Sequence, residues 1–100
     1  MPRRIIFDPE ARLEFDNAVA WYNAHQPGSG DRFELEVQGT LQRVLANPEG
    51  FRLVGRTTRV VRLKTFHKYS ICFHVEPEFI GVVSIFHGSR DPDDLRRRLK

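Results

Sequence analysis

The sequence has a single cysteine, Cys72. An intramolecular disulfide is therefore impossible, and one thiol alone holds no metal. Cys72 sits inside an apolar run and reads as a small buried hydrophobe, which suits a reducing compartment. Long apolar runs are also missing. No stretch approaches the ~20 residues of a membrane-spanning helix. The opening "MPRRIIFDPE" has a three-residue apolar run followed at once by a charge, so it is not expected to act as a signal peptide. The histidines, His25, His67, His74 and His87, show no i, i+4 pair of the zinc type. "PGSG" lacks the lysine of a phosphate loop, and no serine elbow occurs. Together these absences point to a cytoplasmic protein with no membrane segment, no metal and no cofactor.

Negative charge is absent from one long segment. Between Phe51 and Val75 there is no Asp or Glu, but there are Arg52, Arg56, Arg59, Arg62, Lys64 and Lys68. Residues 1–50 carry five Lys/Arg and eight Asp/Glu, a balance of −3, while residues 51–100 carry eleven and five, a balance of +6. Such segregation suggests an anionic partner for the second half, nucleic acid or an acidic protein.

What is present fits one domain over residues 1–100. "RRIIF" predicts a short strand from Arg3 to Phe7. Asp8 and Pro9 then provide a cap and a first helical residue that needs no amide hydrogen. Ala11, Phe15, Ala18, Val19 and Tyr22 share a face of a helix to about His25. Leu13 and Trp21 fall outside that face, either at its boundary or as an exposed apolar contact. "QPGSGD" breaks the helix, and Asp31 with Glu34 predicts a capping box for a second helix to about Asn47. Its stripe is Phe33, Val37, Leu41, Val44 and Leu45. The short break favours an antiparallel helical hairpin.

Beyond residue 50 the period falls from about 3.6 to 2. In "TRVVRLK", Arg59, Val61 and Leu63 share one face and Val60, Arg62 and Lys64 the other. "YSICFHV" sets Tyr69, Ile71, Phe73 and Val75 against Ser70, Cys72 and His74. "FIGVVSIFH" reads as a strand buried on both faces. Asp91 and Pro92 repeat the cap-then-proline signal and open a short helix, "PDDLRRRL", with its acids first and its arginines last. The expected fold is α+β: an N-terminal strand, a two-helix antiparallel hairpin, a mostly antiparallel sheet of three hairpin-linked strands, and a short C-terminal helix. Acid pairs such as Glu34/Glu36 and Asp93/Asp94 read as solvated or dipole-complementing groups. Arg62, Lys64, His87 and Arg90, with Arg59 and Lys68 nearby, are the candidates for chemistry. Cations on adjacent strands can gather around one phosphate, and a metal-independent ribonuclease needs a base, an acid and such cations.

Taken in order, "AVAWYNAHQPGSGDRFELEV", "NPEGF", "VVRLKTFHKYSICFHV" and "VVSIFHGSRDP" resemble the RelE/ParE superfamily of toxins, and within it the ParE-like branch, from about Asp8 to Arg98. The resemblance implies the toxin of a type II toxin–antitoxin pair of the plasmid-stabilisation type. Its partner would be a cognate antitoxin whose acidic, disordered tail wraps the toxin. RelE-like members cleave mRNA in the ribosome, whereas ParE-like members poison DNA gyrase. The cleaving set includes basic residues on the first late strand, an arginine just after the tyrosine of the next, an arginine after the last strand, and a tyrosine in the final helix. This chain keeps Arg62 and Arg90. It has Val60 where a strand lysine is often found, Ser70 after Tyr69, Arg96 near the helix tyrosine position, and no tyrosine beyond Tyr69. The resemblance therefore implies a gyrase inhibitor without catalytic residues, with Leu13, Trp21, Arg59, Arg62, Lys64, His87 and Arg90 as target or antitoxin contacts. The alternatives are an mRNA interferase working through Arg62, Lys64, His87 and Arg90, and a binding member that has lost toxicity.

Overall fold

A computed structural model describes residues 3–99. The element order is β1 (Arg4–Phe7), α1 (Pro9–His25), α2 (Ser29–Ala46), a 3-10 turn (Pro48–Gly50), β2 (Arg52–Leu53), β3 (Thr58–Arg62), β4 (Tyr69–Val75), β5 (Phe79–His87) and α3 (Pro92–Arg96). The strands form one sheet in the order β1-β5-β4-β3-β2. β1 runs parallel to β5, and every other pairing is antiparallel. The α+β expectation holds, with β2 and the 3-10 turn added. These two are too short to leave a periodic signal. Among the described residues no helix is long and apolar enough to cross a membrane.

The helical hairpin packs on one face of the sheet. Ala11, Phe15 and Ala18 of α1 and Phe33, Val37, Leu41 and Val44 of α2 are buried with Val61, Leu63, Ile71 and Phe73. Both predicted helical stripes thus face the core. Leu13 and Trp21 do not: they are 60% and 55% exposed.

The hairpin turn departs from expectation. α2 begins at Ser29 with Gly28 as its N-cap, so Asp31 lies inside the first turn and the Asp31/Glu34 box does not form. Gly28 has φ 88°, the left-handed region that favours glycine, and this lets α2 start three residues earlier than a box capped by Asp31 requires. Ser29 Oγ then donates to the carbonyl of Tyr22 at 2.8 Å, and Asn23 Oδ1 accepts from the Gly30 amide at 2.8 Å. Asn23 thus serves one of the α2 amides that an N-cap would have served, while Ser29 satisfies a carbonyl at the end of α1. Asp8 occupies the N-cap position of α1 without a side-chain cap bond. Asp91 does cap α3, accepting from the Asp93 amide at 2.9 Å.

Strand β5 carries an irregularity that decides which residues face inward. Cys72 pairs with Ser84 but Phe73 pairs with Val82, so Val83 has no counterpart on β4. A bulge of this kind shifts side-chain parity by one. Ile80 and Val82 therefore share the core with Ile85, which strict alternation would put on the opposite face. β1 pairs only as far as Val82, and this leaves the edge of β5 from Val83 onward uncovered by a strand.

Candidate functional site

The uncovered edge of β5 is served by side chains from distant parts of the chain. Because α1 follows β1 directly, its second turn runs alongside this edge. Glu14 there accepts from the Ile85 amide at 3.2 Å and from Ser84 Oγ at 3.0 Å. Arg98, just beyond α3, donates to the Val83 carbonyl at 2.6 Å and to Glu14 at 3.0 Å. Arg90 also pairs with Glu14. Burial pushes the Glu14 carboxyl up, but hydrogen bonds from Arg98, Arg90 and Ser84 outweigh it and hold the group below its ordinary value. The same pairing raises Arg98. Glu14 is the organising residue that sequence reading missed. Its signal was only a carboxylate on the flank of the α1 stripe, and the bulge that brings the β5 edge to it was not legible.

Two clefts open at this end of the sheet. The first, about 700 Å³, lies between α1, the β3–β4 turn and the β5–α3 turn. Trp21, Tyr22, Phe66 and Tyr69 give it aromatic walls, and Glu14 and Arg90 lie at its polar side. Tyr22 packs edge-on to Phe66 at 4.9 Å and Tyr69 edge-on to His87 at 4.8 Å. Burial raises both tyrosines, so at neutral pH their hydroxyls remain protonated. Trp21 stacks on His25 at 3.9 Å.

The second cleft, about 740 Å³, lies on the sheet face away from the helices. The strand registers build it. Arg62, Ser70 and Phe86 form one cross-strand row, and Arg52 pairs with Val60 in another. His67, Lys68, His87 and Ser89 border both clefts and form the ridge between them.

The sequence-predicted cations divide across this ridge. Arg62 lines the second cleft, Arg90 the first, and His87 both. Lys64 is exposed and lines neither, and so is Leu13. Arg59 lies on the helix-side face with Val61 and Leu63, as its alternation predicts, and donates to the Phe51 carbonyl at 2.7 Å. Trp21 borders the first cleft.

Most of these groups already have internal partners. Arg62 Nε donates to the His67 carbonyl at 2.7 Å, which braces the β3–β4 turn. Arg90 reaches around the open edge, with its guanidinium 5.7 Å from the Phe86 ring centre while it pairs with Glu14. His87 Nδ1 accepts from the Ser89 amide at 3.0 Å, so in the neutral ring the proton resides on Nε2. Cys72 is buried, and burial pushes its thiol up to about 11, which keeps it inert at neutral pH. Among the described residues no group of three or more His, Cys, Asp or Glu could hold a metal ion.

Known proteins give this geometry a context. No curated protein sequence matches the chain. Solved structures share its fold, among them the following two. A chain from the chromosomal ParDE TA system from P. aeruginosa superposes with a TM-score of 0.73 at 16% identity, covering 86% of this chain and 96% of that one. A mutant of the E. coli toxin RelE in the free state, with two of its arginines changed to alanine, superposes with a TM-score of 0.68 at 20% identity, covering 98% of this chain and 94% of that one. Over residues 5–92 the sequence matches the family described as ParE toxin of type II toxin-antitoxin system, parDE. The chain belongs to the ParE toxin family, the toxin component of type II toxin–antitoxin systems.

Proposed function

We infer that this toxin acts by binding rather than by cleavage, that its target is DNA gyrase, and that a cognate antitoxin neutralises it. The observation that carries this reading is the engagement of His87, the candidate base, and of Arg90 within the fold. A metal-independent ribonuclease needs a free base for the 2′-hydroxyl and uncommitted cations for the phosphorane. Here the acceptor nitrogen of His87 is taken by the Ser89 amide and Arg90 is paired with Glu14. Tyr22 and Tyr69, whose pKa values are raised, are donors and not bases at neutral pH. Val60 and Ser70, standing where cleaving relatives carry basic residues, line the second cleft and bring no charge to it.

Cleavage of translated mRNA is the competing reading, and one experiment separates the two. Purified toxin is added to a gyrase supercoiling assay, and transcripts are mapped in cells arrested by the toxin. Inhibited supercoiling, or cleaved DNA trapped with gyrase, beside intact transcripts is the expected result. Codon-positioned cuts that vanish in His87→Ala or Arg90→Ala, with gyrase unaffected, would replace this reading with the interferase one.

A further inference from the structure

Helix α1 carries apolar side chains on two faces. Ala11, Phe15 and Ala18 are buried in the core. Leu13, Ala20, Trp21 and Ala24 are exposed, and so is Asn17 among them. Their spacings of three, four and seven place these five on one outer strip. None of the five is charged, in a chain of which 29% is Asp, Glu, Lys or Arg. A surface helix ordinarily keeps its outer face polar. α2 does so, exposing one large apolar side chain, Leu35, among Arg32, Gln38 and Gln42.

The strip has a definite shape. Asn17, Ala20, Trp21 and Ala24 stand at i, i+3, i+4 and i+7, the four corners of a hole that receives a side chain from a facing helix. The two alanines keep the hole open. Trp21 walls it, held by stacking on His25 at 3.9 Å and by an edge contact with Tyr22 at 5.2 Å. The matching knob lies on the same helix. Leu13 and Trp21 are each four residues from Asn17, in opposite directions. Let two copies of α1 pair antiparallel about a two-fold axis at Asn17. Each Leu13 then falls over Ala20 of the other copy and level with its Trp21. Both holes fill at once, as an isologous contact requires. The ends also complement each other. Glu10, whose side chain is 73% exposed even with Arg98 at 3.4 Å, comes beside His25 of the other copy. The N-terminal pole of each helix lies beside the C-terminal pole of the other.

We propose that a second copy of this chain covers the strip, and that the free protein forms an antiparallel α1–α1 dimer with Leu13 of each copy seated in the hole of the other. A helix of another protein must bring its own knob, whereas this chain holds one at the symmetric position. α1 has 17 residues and is about 25 Å long. One helix face of that length covers less than the ~800 Å² per partner of a standard interface. The dimer is therefore weak, with a Kd on the order of 10 µM, and exchanges with monomer. Asn17 and Trp21 also line the first cleft, so pairing narrows its mouth, while the second cleft stays open across the sheet. The pairing does not depend on which target the toxin has.

The test is sedimentation velocity on the full chain alone, from about 1 to about 200 µM. A shift from monomer to dimer across that range is expected. Trp21 is the one tryptophan of the sequence, so its emission should move to the blue over the same range. Leu13→Glu places a charge in the hole and should raise Kd at least about tenfold. Trp21→Ala should weaken the dimer in the same direction, whereas Leu35→Glu on α2 should leave Kd within about twofold. Each altered side chain is exposed, so the variants should keep the parent's circular dichroism. Geometry is read by oxidation. Asn17→Cys puts a thiol on the two-fold axis, within disulfide reach of its own counterpart, and should give a covalent dimer. Leu35→Cys should not, and Cys72 is buried. A chain that stays monomeric to about 200 µM overturns the proposal and leaves the strip to a helix of another protein. So does a dimer that Leu13→Glu leaves intact, or one in which Asn17→Cys cross-links no better than Leu35→Cys.

Discussion

Glu14 and Arg98 are 84 positions apart in sequence and meet at 3.0 Å beside the stretch of β5 that β1 leaves unpaired. A bare strand edge invites pairing with another chain, and natural sheets blunt such edges with charge or with a covering segment. This fold does both. The carboxylate occupies the Ile85 amide and the guanidinium occupies the Val83 carbonyl, so the exposed ladder groups are satisfied before a second strand can reach them.

Removing Glu14 should therefore cost more than one surface ion pair. The Glu14 side chain is 13% exposed and that of Arg98 is 16% exposed. Truncation leaves a half-buried guanidinium and the Ile85 amide without their acceptor. Glu14→Ala is expected to lower unfolding free energy by about 2–4 kcal/mol, measured by urea denaturation. The pH dependence has a definite sign. The folded-state carboxyl lies below its ordinary 4.5, so the stabilisation is complete above that value and is lost as pH falls beneath it. Glu14→Gln should be less stable than the parent at neutral pH and should converge on it in acid. Parallel curves over the whole acid range would show that Glu14 carries no such linkage.

His74 and Gly81 form a second coupled pair, on the sheet face away from the helices. A β-carbon added at Gly81 would fall 2.2 Å from His74 Nε2, closer than such atoms can approach. The imidazole is itself fixed, buried among its neighbours with Nδ1 2.9 Å from Glu76 Oε2 and its ring edge-on to Phe79 at 5.9 Å. Gly81→Ala should destabilise by about 1–3 kcal/mol through overpacking. Combining it with His74→Ala should recover part of that loss, because the second change empties the space the methyl needs. A double-mutant cycle checks it: additive costs would mean that the two side chains do not share that space.

The helices and the three long strands were legible because each writes its own period. The α1 and α2 stripes and the alternation of Tyr69, Ile71, Phe73 and Val75 recur in the core without change. The misses have a common physical origin. The Asp31/Glu34 box fits as a local pattern, but the left-handed Gly28 starts α2 earlier and tertiary bonds from Ser29 and Asn23 displace it. The bulge at Val83 leaves no mark in a run that is almost wholly apolar. Without the bulge, neither the β5 edge nor the role of Glu14 could be placed. The candidate site was half legible. The acid-free segment announced a cationic surface, but only strand register shows that Arg52 and Arg62 share a cleft while Arg90 belongs to the other.

Glu36 read as one of a solvated acid pair, yet it clamps the turn on which both clefts depend. Its Oε2 accepts from the Thr65 amide at 3.0 Å and the Phe66 amide at 3.3 Å, joining α2 to the β3–β4 connection. The turn so held presents Phe66 to Tyr22 and Phe33, and places His67 and Lys68 on the ridge. Hydrogen bonds to a charged acceptor are stronger than neutral ones, but this carboxylate is only partly buried, so each bond adds modestly. Glu36→Ala should speed hydrogen exchange at the Thr65 and Phe66 amides about tenfold, with little change at β5 amides such as Val82. Glu36→Gln keeps one oxygen and should fall between. Unchanged exchange at Thr65 and Phe66 in both variants would show that the turn keeps its shape without the Glu36 clamp.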